Sequence, residues 1–173
     1  QPGRAELRPQ PLGCVGIISP WNYPIYLALG PLTAAFAAGN RALLKMSEFT
    51  PSTAAVFAEL AARYFSSDEL AVVGGDQPLA AAFAALPFDH LLFTGSTAVG
   101  RHVMLAAAAN LTPVTLELGG KSPALIAPDY PVETATSRIL AGKCLNAGQT
   151  CIAPDYVLLP AAELAVFIQA ARQ

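Results

Sequence analysis

Short apolar blocks alternate along this chain with longer segments of helical periodicity, and this pattern predicts a repeating β–α unit. The predicted strands are the blocks at 15–19, 41–45, 70–73, 90–94, 112–118 and 123–126. The predicted helices lie between them, at 25–38, 51–66, 79–85, 97–108 and 131–145. Because strands recur with helical crossovers, the pattern favours a parallel, doubly wound α/β sheet.

The helix after residue 50 carries the plainest local signals. Thr50 is expected at its N-cap position and Pro51 at its first helical position. One face of this helix has the apolar spacing of a surface that packs on a sheet. That predicted face comprises Val56, Phe57, Leu60, Ala61 and Tyr64.

Composition then narrows the class of protein. The chain has 173 residues, of which 54% are hydrophobic and 13% charged, so it carries enough apolar material for a packed core. A net charge of −2 and the lack of a basic run argue against nucleic acid as a partner. No charged residue lies between Arg8 and Arg41, but five prolines interrupt that stretch, so a transmembrane helix is not expected. No secretory signal is recognisable at Gln1, which predicts a cytoplasmic setting.

Three cysteines occur without a paired Cys-x-x-Cys spacing. An odd number of widely spaced cysteines predicts neither a disulfide framework nor a zinc site, and no metal is expected. Cys14 and Cys144 are interpreted as buried core thiols. Cys151 follows a Gly-Gln turn at the mouth of a new strand, where a small side chain can point towards a substrate.

Unusual segments follow the predicted strands, at the positions where an open parallel sheet binds its ligand. They are SPWNYP at 19–24, KMSE at 45–48, FTGSTAVG at 93–100, ELGGK at 117–121 and NAGQTC at 146–151. Together and in this order they resemble the aldehyde dehydrogenase superfamily, over nearly the whole chain from about Pro11 to Pro160. Residues 149–156 resemble its class-3-like branch, and residues 45–51 are similar to the coniferyl aldehyde dehydrogenases.

The resemblance implies three catalytic residues. Cys151 would be the nucleophile that attacks an aldehyde, and the Asn22 amide would donate to the resulting alkoxide. Glu117 would be the general base that hydrolyses the thioester, because an acid ending an apolar strand is costly unless it is used or paired. The alternatives are an Asn22 that stabilises its own turn and a Glu117 in an ion pair with Lys121 or Arg101.

The resemblance also implies a nicotinamide cofactor, although the ordinary Gly-x-Gly-x-x-Gly fingerprint is absent. Gly95 and Ser96 follow a strand and open a helix, where backbone amides can meet a pyrophosphate. Lys45 and Glu48 would reach the adenosine ribose hydroxyls, and the Glu48 carboxylate favours NAD, with NADP also accepted. The remaining residues assigned to the cofactor site are Ser19, Pro20, Trp21, Leu118 and Gly119. Trp21 is equally suited to a pocket wall and to core packing.

We therefore expect an NAD-binding domain at 1–119 and the beginning of a catalytic domain at 120–173, both incomplete relative to the family. The expected activity of the parent enzyme is NAD(P)-dependent oxidation of an aldehyde, with an aromatic aldehyde suggested by the local resemblance. The piece alone is expected to be inactive, and the complete enzyme to form a homodimer or homotetramer. The alternatives are a CoA-acylating aldehyde dehydrogenase, against which Glu117 argues, and a non-catalytic nucleotide-binding protein.

Overall fold

The computed structural model describes residues 3–172. Its strands are β1 (Cys14–Ile18), β2 (Arg41–Lys45), β3 (Leu70–Val73), β4 (His90–Gly95), β5 (Val114–Leu118), β6 (Ser122–Leu125) and β7 (Pro154–Leu158). Its α-helices are α1 (Tyr26–Ala37), α2 (Pro51–Tyr64), α3 (Gln77–Ala84), α4 (Thr97–Ala108), α5 (Val132–Cys144) and α6 (Leu164–Ala171). The chain divides into two compact units, Gln1–Glu117 (unit 1) and Leu118–Gln173 (unit 2).

A five-stranded sheet in the order β3-β2-β1-β4-β5 organises unit 1. β1 is parallel to both β2 and β4, and β2 is parallel to β3. The chain order therefore reverses direction between β1 and β4, as it does at the switch point of a doubly wound sheet. The predicted α/β fold with a parallel sheet is confirmed.

Helices α1 and α2 cover one face of this sheet. Their buried residues Leu32 and Ala61 pack with Ile17 and Leu44, both of which are fully buried. Leu91, on the opposite side of β4 from the core residue Leu92, is also fully buried. Apolar side chains on both faces explain why these strands read as continuous apolar blocks.

Unit 2 contains a second, smaller sheet. Strands β6 and β7 pair in parallel, with a register irregularity between Ser122 and Pro123, and helix α5 connects them. One hydrophobic cluster of this unit contains the buried residues Ile126, Val132 and Ala135, with five partly buried residues packed on it: Ile139, Val157, Leu159, Val166 and Phe167.

The predicted buried face of α2 is confirmed for Ala61, which is buried, and for Phe57, which packs on the core, but it is wrong for the other three residues. Val56, Leu60 and Tyr64 are exposed, whereas the buried residues of the helix are Ala54 and Ala61. Small side chains let the helix axis approach the sheet, and this leaves the larger apolar residues on the outer side. Thr50 occupies the N-cap position as predicted, but its side chain makes no capping hydrogen bond.

Within residues 3–172, no helix is both long enough and apolar enough to cross a membrane.

Candidate active site

The candidate residues of unit 1 gather where the carboxyl ends of three strands meet. Ile18, at the end of β1, pairs with Lys45 of β2 and with Phe93 of β4. The backbone N–H of Ser19 continues this edge by donating to the carbonyl of Lys45 at 3.0 Å. Parallel pairing thus brings the segment after β1 beside Lys45 and beside the end of β4.

Lys45 is a buried cation with an acidic partner. Its side chain is 2% exposed, and its Nζ donates to Glu48 Oε2 at 2.8 Å. The Glu48 side chain is 37% exposed, so the carboxylate reaches the surface while the ammonium does not. The hydrogen bond from Lys45 holds the pKa of Glu48 below its ordinary value. A carboxylate kept charged in this way can accept hydrogen bonds from ligand hydroxyls.

Ser19 contributes a second buried polar group to this edge. The residue is 2% exposed, and its Oγ has no hydrogen-bond partner among the residues that the structure describes. Buried hydroxyl groups of this kind are uncommon, because an unmade hydrogen bond costs about 1 to 3 kcal/mol.

The segment after β4 forms the beginning of α4. Ser96 is the N-cap residue, and its Oγ accepts a hydrogen bond from the backbone N–H of Val99 at 3.3 Å. The exposed hydroxyl keeps its own proton for donation. At Gly95 an added Cβ would collide with the ring of Phe93, so glycine allows the buried aromatic ring to pack against this turn.

The remaining candidates of unit 1 lie near the surface. Trp21 is 44% exposed, which rules out the core-packing interpretation of this indole. Pro20 and Asn22 are half-buried. Glu117, near the end of β5, is exposed, so its carboxylate does not bear the burial cost expected from the sequence. Lys121, its predicted ion-pair partner, instead pairs with Asp155 at 3.2 Å.

Cys151 is an exposed thiol of unit 2, in a turn three residues before β7. The turn is stabilised from within, because the backbone N–H of Ala153 donates to the carbonyl of Thr150 at 3.1 Å. An exposed position gives the thiol access to a substrate.

Three consecutive residues with positive φ lead into this turn, and sequence reasoning missed them. They are Asn146 (φ 49°), Ala147 (φ 56°) and Gly148 (φ 76°). Asn and Gly adopt this left-handed conformation at low cost, whereas an alanine there is strained. The Asn-x-Gly spacing was the available signal, and the strain at Ala147 marks a backbone held by its surroundings.

Close packing also explains the Gly-Gly pair after β5. A Cβ at Gly120 would lie 2.8 Å from the carbonyl oxygen of Cys151, whereas Gly119 has open space around it. Gly120 therefore lets the residue 120 backbone approach the Cys151 turn. Leu118 is half-buried and Gly119 exposed.

The structure thus brings the predicted residues together in two sets. Ser19, Lys45, Gly95 and Ser96 share one sheet edge in unit 1, with Glu48 joined to Lys45. In unit 2 the carbonyl of Cys151 contacts the segment that contains Gly119 and Gly120. Cys14 is half-buried, and burial raises the pKa of its thiol. Cys144 is exposed, which corrects its interpretation as a core thiol.

Residues 3–173 match the family model described as the aldehyde dehydrogenase family, and the chain therefore belongs to that family. It is 59% identical over 168 residues to a probable coniferyl aldehyde dehydrogenase of Pseudomonas aeruginosa, covering 97% of this chain and 35% of that protein. It is 52% identical to aldehyde dehydrogenase family 3 member A2 of Mus musculus, covering 91% of this chain and 32% of the relative.

The fold also agrees with solved structures of the family. An aldehyde dehydrogenase of Mycobacterium tuberculosis in complex with NAD+ superposes with a TM-score of 0.87 at 38% identity, covering 94% of this chain and 34% of that one. The predicted resemblance to the family and its class 3 branch is confirmed. The chain spans about a third of the length of these relatives.

Proposed function

We propose that the protein containing this chain is an NAD(P)-dependent aldehyde dehydrogenase that oxidises an aldehyde to the carboxylic acid. The observation that carries the proposal is the exposed thiol of Cys151 in a chain of this family, held after a left-handed turn and before a strand. Unit 1 would be the cofactor-binding domain, and unit 2 the first part of the catalytic domain.

The sheet edge of unit 1 fits the cofactor in its donor and acceptor groups. Glu48 presents a charged, partly exposed carboxylate suited to ribose hydroxyls, with Lys45 beneath it. Ser96 and the first amides of α4 are suited to a pyrophosphate. Ser19, Pro20, Trp21, Leu118 and Gly119 would complete the binding surface.

Carbon–sulfur bond formation at Cys151 would start the reaction. Its thiolate attacks the aldehyde carbon and gives a thiohemiacetal, whose alkoxide receives hydrogen bonds from the Asn22 amide and the Cys151 backbone N–H. When bound, the cofactor supplies the two-electron oxidation that converts this thiohemiacetal into a thioester. Glu117 would then take a proton from the water that hydrolyses the thioester, which regenerates the thiol and releases the acid.

Charge at Glu48 would set the choice of cofactor. A carboxylate that accepts hydrogen bonds from ribose hydroxyls repels a phosphate in their place, so NAD should be preferred over NADP. The substrate we propose is an aromatic aldehyde such as coniferyl aldehyde, which is supported by the similarity to the probable coniferyl aldehyde dehydrogenase. A homodimer or homotetramer is the assembly that we expect for the whole protein.

The test is turnover of aldehydes by the protein that contains this chain. Cys151→Ala should abolish dehydrogenase activity, while Cys14→Ala serves as the matched control and should retain it. Turnover by the Cys151→Ala protein at the wild-type rate would refute the proposal. A panel of aromatic and aliphatic aldehydes, assayed with NAD and with NADP, would define the substrate and cofactor.

Glu117→Gln separates hydrolysis of the thioester from its formation. We expect a burst of NADH followed by slow turnover, since only the second half of the reaction uses the base. Equal loss of burst and steady-state rates would contradict this role for Glu117. If added CoA, but not water, releases the product in the wild-type protein, the enzyme belongs to the CoA-acylating class.

A further inference from the structure

Helices α5 and α6 cover one face of the two-stranded sheet in unit 2. Ile126, directly after β6, and Val132 of α5 are buried in a hydrophobic cluster of this unit. Val157 of β7 and Phe167 of α6 pack against the same cluster. Because side chains alternate between the two faces of a strand, the residues next to Ile126 and Val157 point to the opposite face, which we call the outer face.

The outer face is apolar and open to solvent. It is formed by Pro123 and Leu125 of β6 and by Tyr156 and Leu158 of β7, and the parallel register places Pro123 beside Tyr156 and Leu125 beside Leu158. Leu125 is 72% exposed, Leu158 53% and Tyr156 47%, and Pro123 is exposed as well. Neighbouring apolar side chains that share one open surface mark an interaction site, unlike exposed apolar residues that are scattered singly.

A second layer is expected on the outer face. Parallel sheets occur almost only with both faces covered, and the covering elements are helices. Two strands about 4.8 Å apart have a width of roughly 10 Å, which matches the diameter of one α-helix. The outer face therefore has both the apolar character and the width of a surface that binds a helix.

A second copy of this chain fits the outer face less well. A stable dimer buries about 800 Å² of accessible surface on each partner, and four partly exposed side chains fall short of that area. A helix from the same polypeptide needs less area, because it is tethered and does not lose the translational freedom of a separate partner. The relatives of this chain are long enough to supply such a helix, since the chain spans about a third of their length.

We propose that the outer face binds one amphipathic helix from a segment outside residues 1–173 of the same polypeptide, in the protein that contains this chain. The apolar residues of this helix recur at the i, i+3, i+4 and i+7 spacing and pack on Leu125 and Leu158. The Tyr156 hydroxyl adds one polar group to the outer face, so the helix places a polar side chain at the border of its apolar stripe.

Cross-linking in the protein that contains this chain identifies what covers the outer face. The photoreactive amino acid p-benzoylphenylalanine takes the place of Leu125, and the cross-linked peptides are mapped by mass spectrometry. We expect a cross-link within one polypeptide, to a helical segment outside residues 1–173. Placed at Thr134, an exposed residue of α5 on the other side of the sheet, the same amino acid should not give this cross-link. A cross-link between two copies, a cross-link to a different protein or no cross-link at all would overturn the proposal.

Thiol labelling provides a second measurement with a smaller change of side chain. In the protein that contains this chain, Leu125→Cys should be alkylated about tenfold more slowly than Thr134→Cys, because a helix packed on the outer face must open first. In the 173-residue chain alone the two rates should be similar, since Leu125 is exposed there. Labelled peptides are measured at set times by mass spectrometry, which separates these thiols from the three native cysteines. Equal rates in the longer protein would overturn the proposal.

Neither measurement depends on dehydrogenase activity. If the cross-link forms in a protein that oxidises no aldehyde, the helix-binding role of the outer face stands and the proposed function fails. If an active dehydrogenase labels Leu125→Cys as fast as Thr134→Cys, the proposed function stands and the helix-binding role fails.

Discussion

The two units of this chain hold their candidate residues in different ways. Unit 1 sets Ser19 and Lys45 at the edge of a five-stranded sheet that has apolar layers on both faces. Unit 2 sets Cys151 on an irregular turn before the second strand of a two-stranded sheet, and its hydrophobic cluster contains only three buried residues among those that the structure describes. The candidate cofactor residues are thus fixed by strand register, whereas the thiol is fixed by turn conformation and glycine packing.

This difference suits the chemistry that we propose for each unit. Recognition of a rigid nucleotide gains from donors and acceptors that do not move, because less ordering is needed on binding. A nucleophile that is repeatedly acylated and released needs a thiol that the substrate can reach, and an exposed turn provides this access. The comparison predicts that unit 1 tolerates core changes less well and that unit 2 depends on a few backbone positions.

The largest difference should appear between two leucines that are truncated in the same way. Leu44→Ala in unit 1 removes a fully buried side chain and should lower the free energy of unfolding by about 2 to 5 kcal/mol. Leu125→Ala in unit 2 removes a side chain that is 72% exposed and should cost less than about 1 kcal/mol. Urea unfolding of both variants measures this. Equal losses would break the comparison.

The next largest loss of stability is expected from a change in glycine packing in unit 2. Gly120→Ala would place a Cβ 2.8 Å from the Cys151 carbonyl oxygen, so the turn must shift, at a cost of about 1 to 3 kcal/mol. The rate of Cys151 alkylation should change with it. Gly119→Ala, with open space around the added Cβ, is the matched control. A neutral Gly120→Ala would show that the turn does not depend on this contact.

Helix capping gives the third comparison. Side chains cap α3 and α4 in unit 1, whereas α1 and α2 of unit 1 and both helices α5 and α6 of unit 2 have no side-chain cap within the described residues. Ser96→Ala should therefore cost about 1 kcal/mol of stability. Thr50→Ala, at an N-cap position without a capping hydrogen bond, should cost less in the same thermal unfolding measurement. The reverse order would contradict the assigned caps.

Acidification should lower the free energy of unfolding of unit 1 through Glu48. We expect this to be the smallest of the four effects on stability predicted here. The hydrogen bond from Lys45 lowers the pKa of Glu48 in the folded chain. Its contribution is therefore present above the unfolded pKa of about 4.3 and is lost as pH falls through the lower folded pKa. The stability difference between wild type and Glu48→Gln should shrink over that range in urea unfolding. Glu59→Gln, in an exposed pair with Arg63, is the control, and a difference that grows on acidification would contradict the pairing.

Much of the fold could be predicted from the apolar pattern. Both faces of the main sheet are covered, so its strands appear in the sequence as continuous apolar blocks. The bounds of β2 and β3 were predicted to the residue. The buried face of α2 was predicted only in part, since the periodicity of large apolar residues does not show which alanines pack closely on the sheet. Sequence reasoning cannot rank Ala54 above Val56 without knowing how near the helix lies to the sheet.

The sequence likewise predicted where the candidate residues lie along the strands and loops. It did not predict how far each side chain is buried. A strand followed by Lys-x-x-Glu places two charges at a sheet edge, but only the folded backbone shows the ammonium buried and the carboxylate exposed. The three left-handed residues were missed because Ala147 disfavours that conformation. The exposure of Cys144 depends on where α5 ends, and helix ends are set by local contacts that the sequence pattern leaves open.

Because Lys45 is buried, its chemical reactivity measures how often the carboxyl ends of the strands in unit 1 open to solvent. Amine-reactive labels modify only an accessible side chain in its neutral amine form, so Lys45, 2% exposed, should be acylated slowly, whereas Lys121, 81% exposed, should be acylated quickly. Exposing the protein to such a label for set times, and then measuring labelled peptides by mass spectrometry, gives the labelling rate of Lys45. This rate reports how often the strand ends around Lys45 open to solvent. If NAD binds at Glu48 as proposed, it should lower the labelling rate of Lys45 further and leave that of Lys121 unchanged.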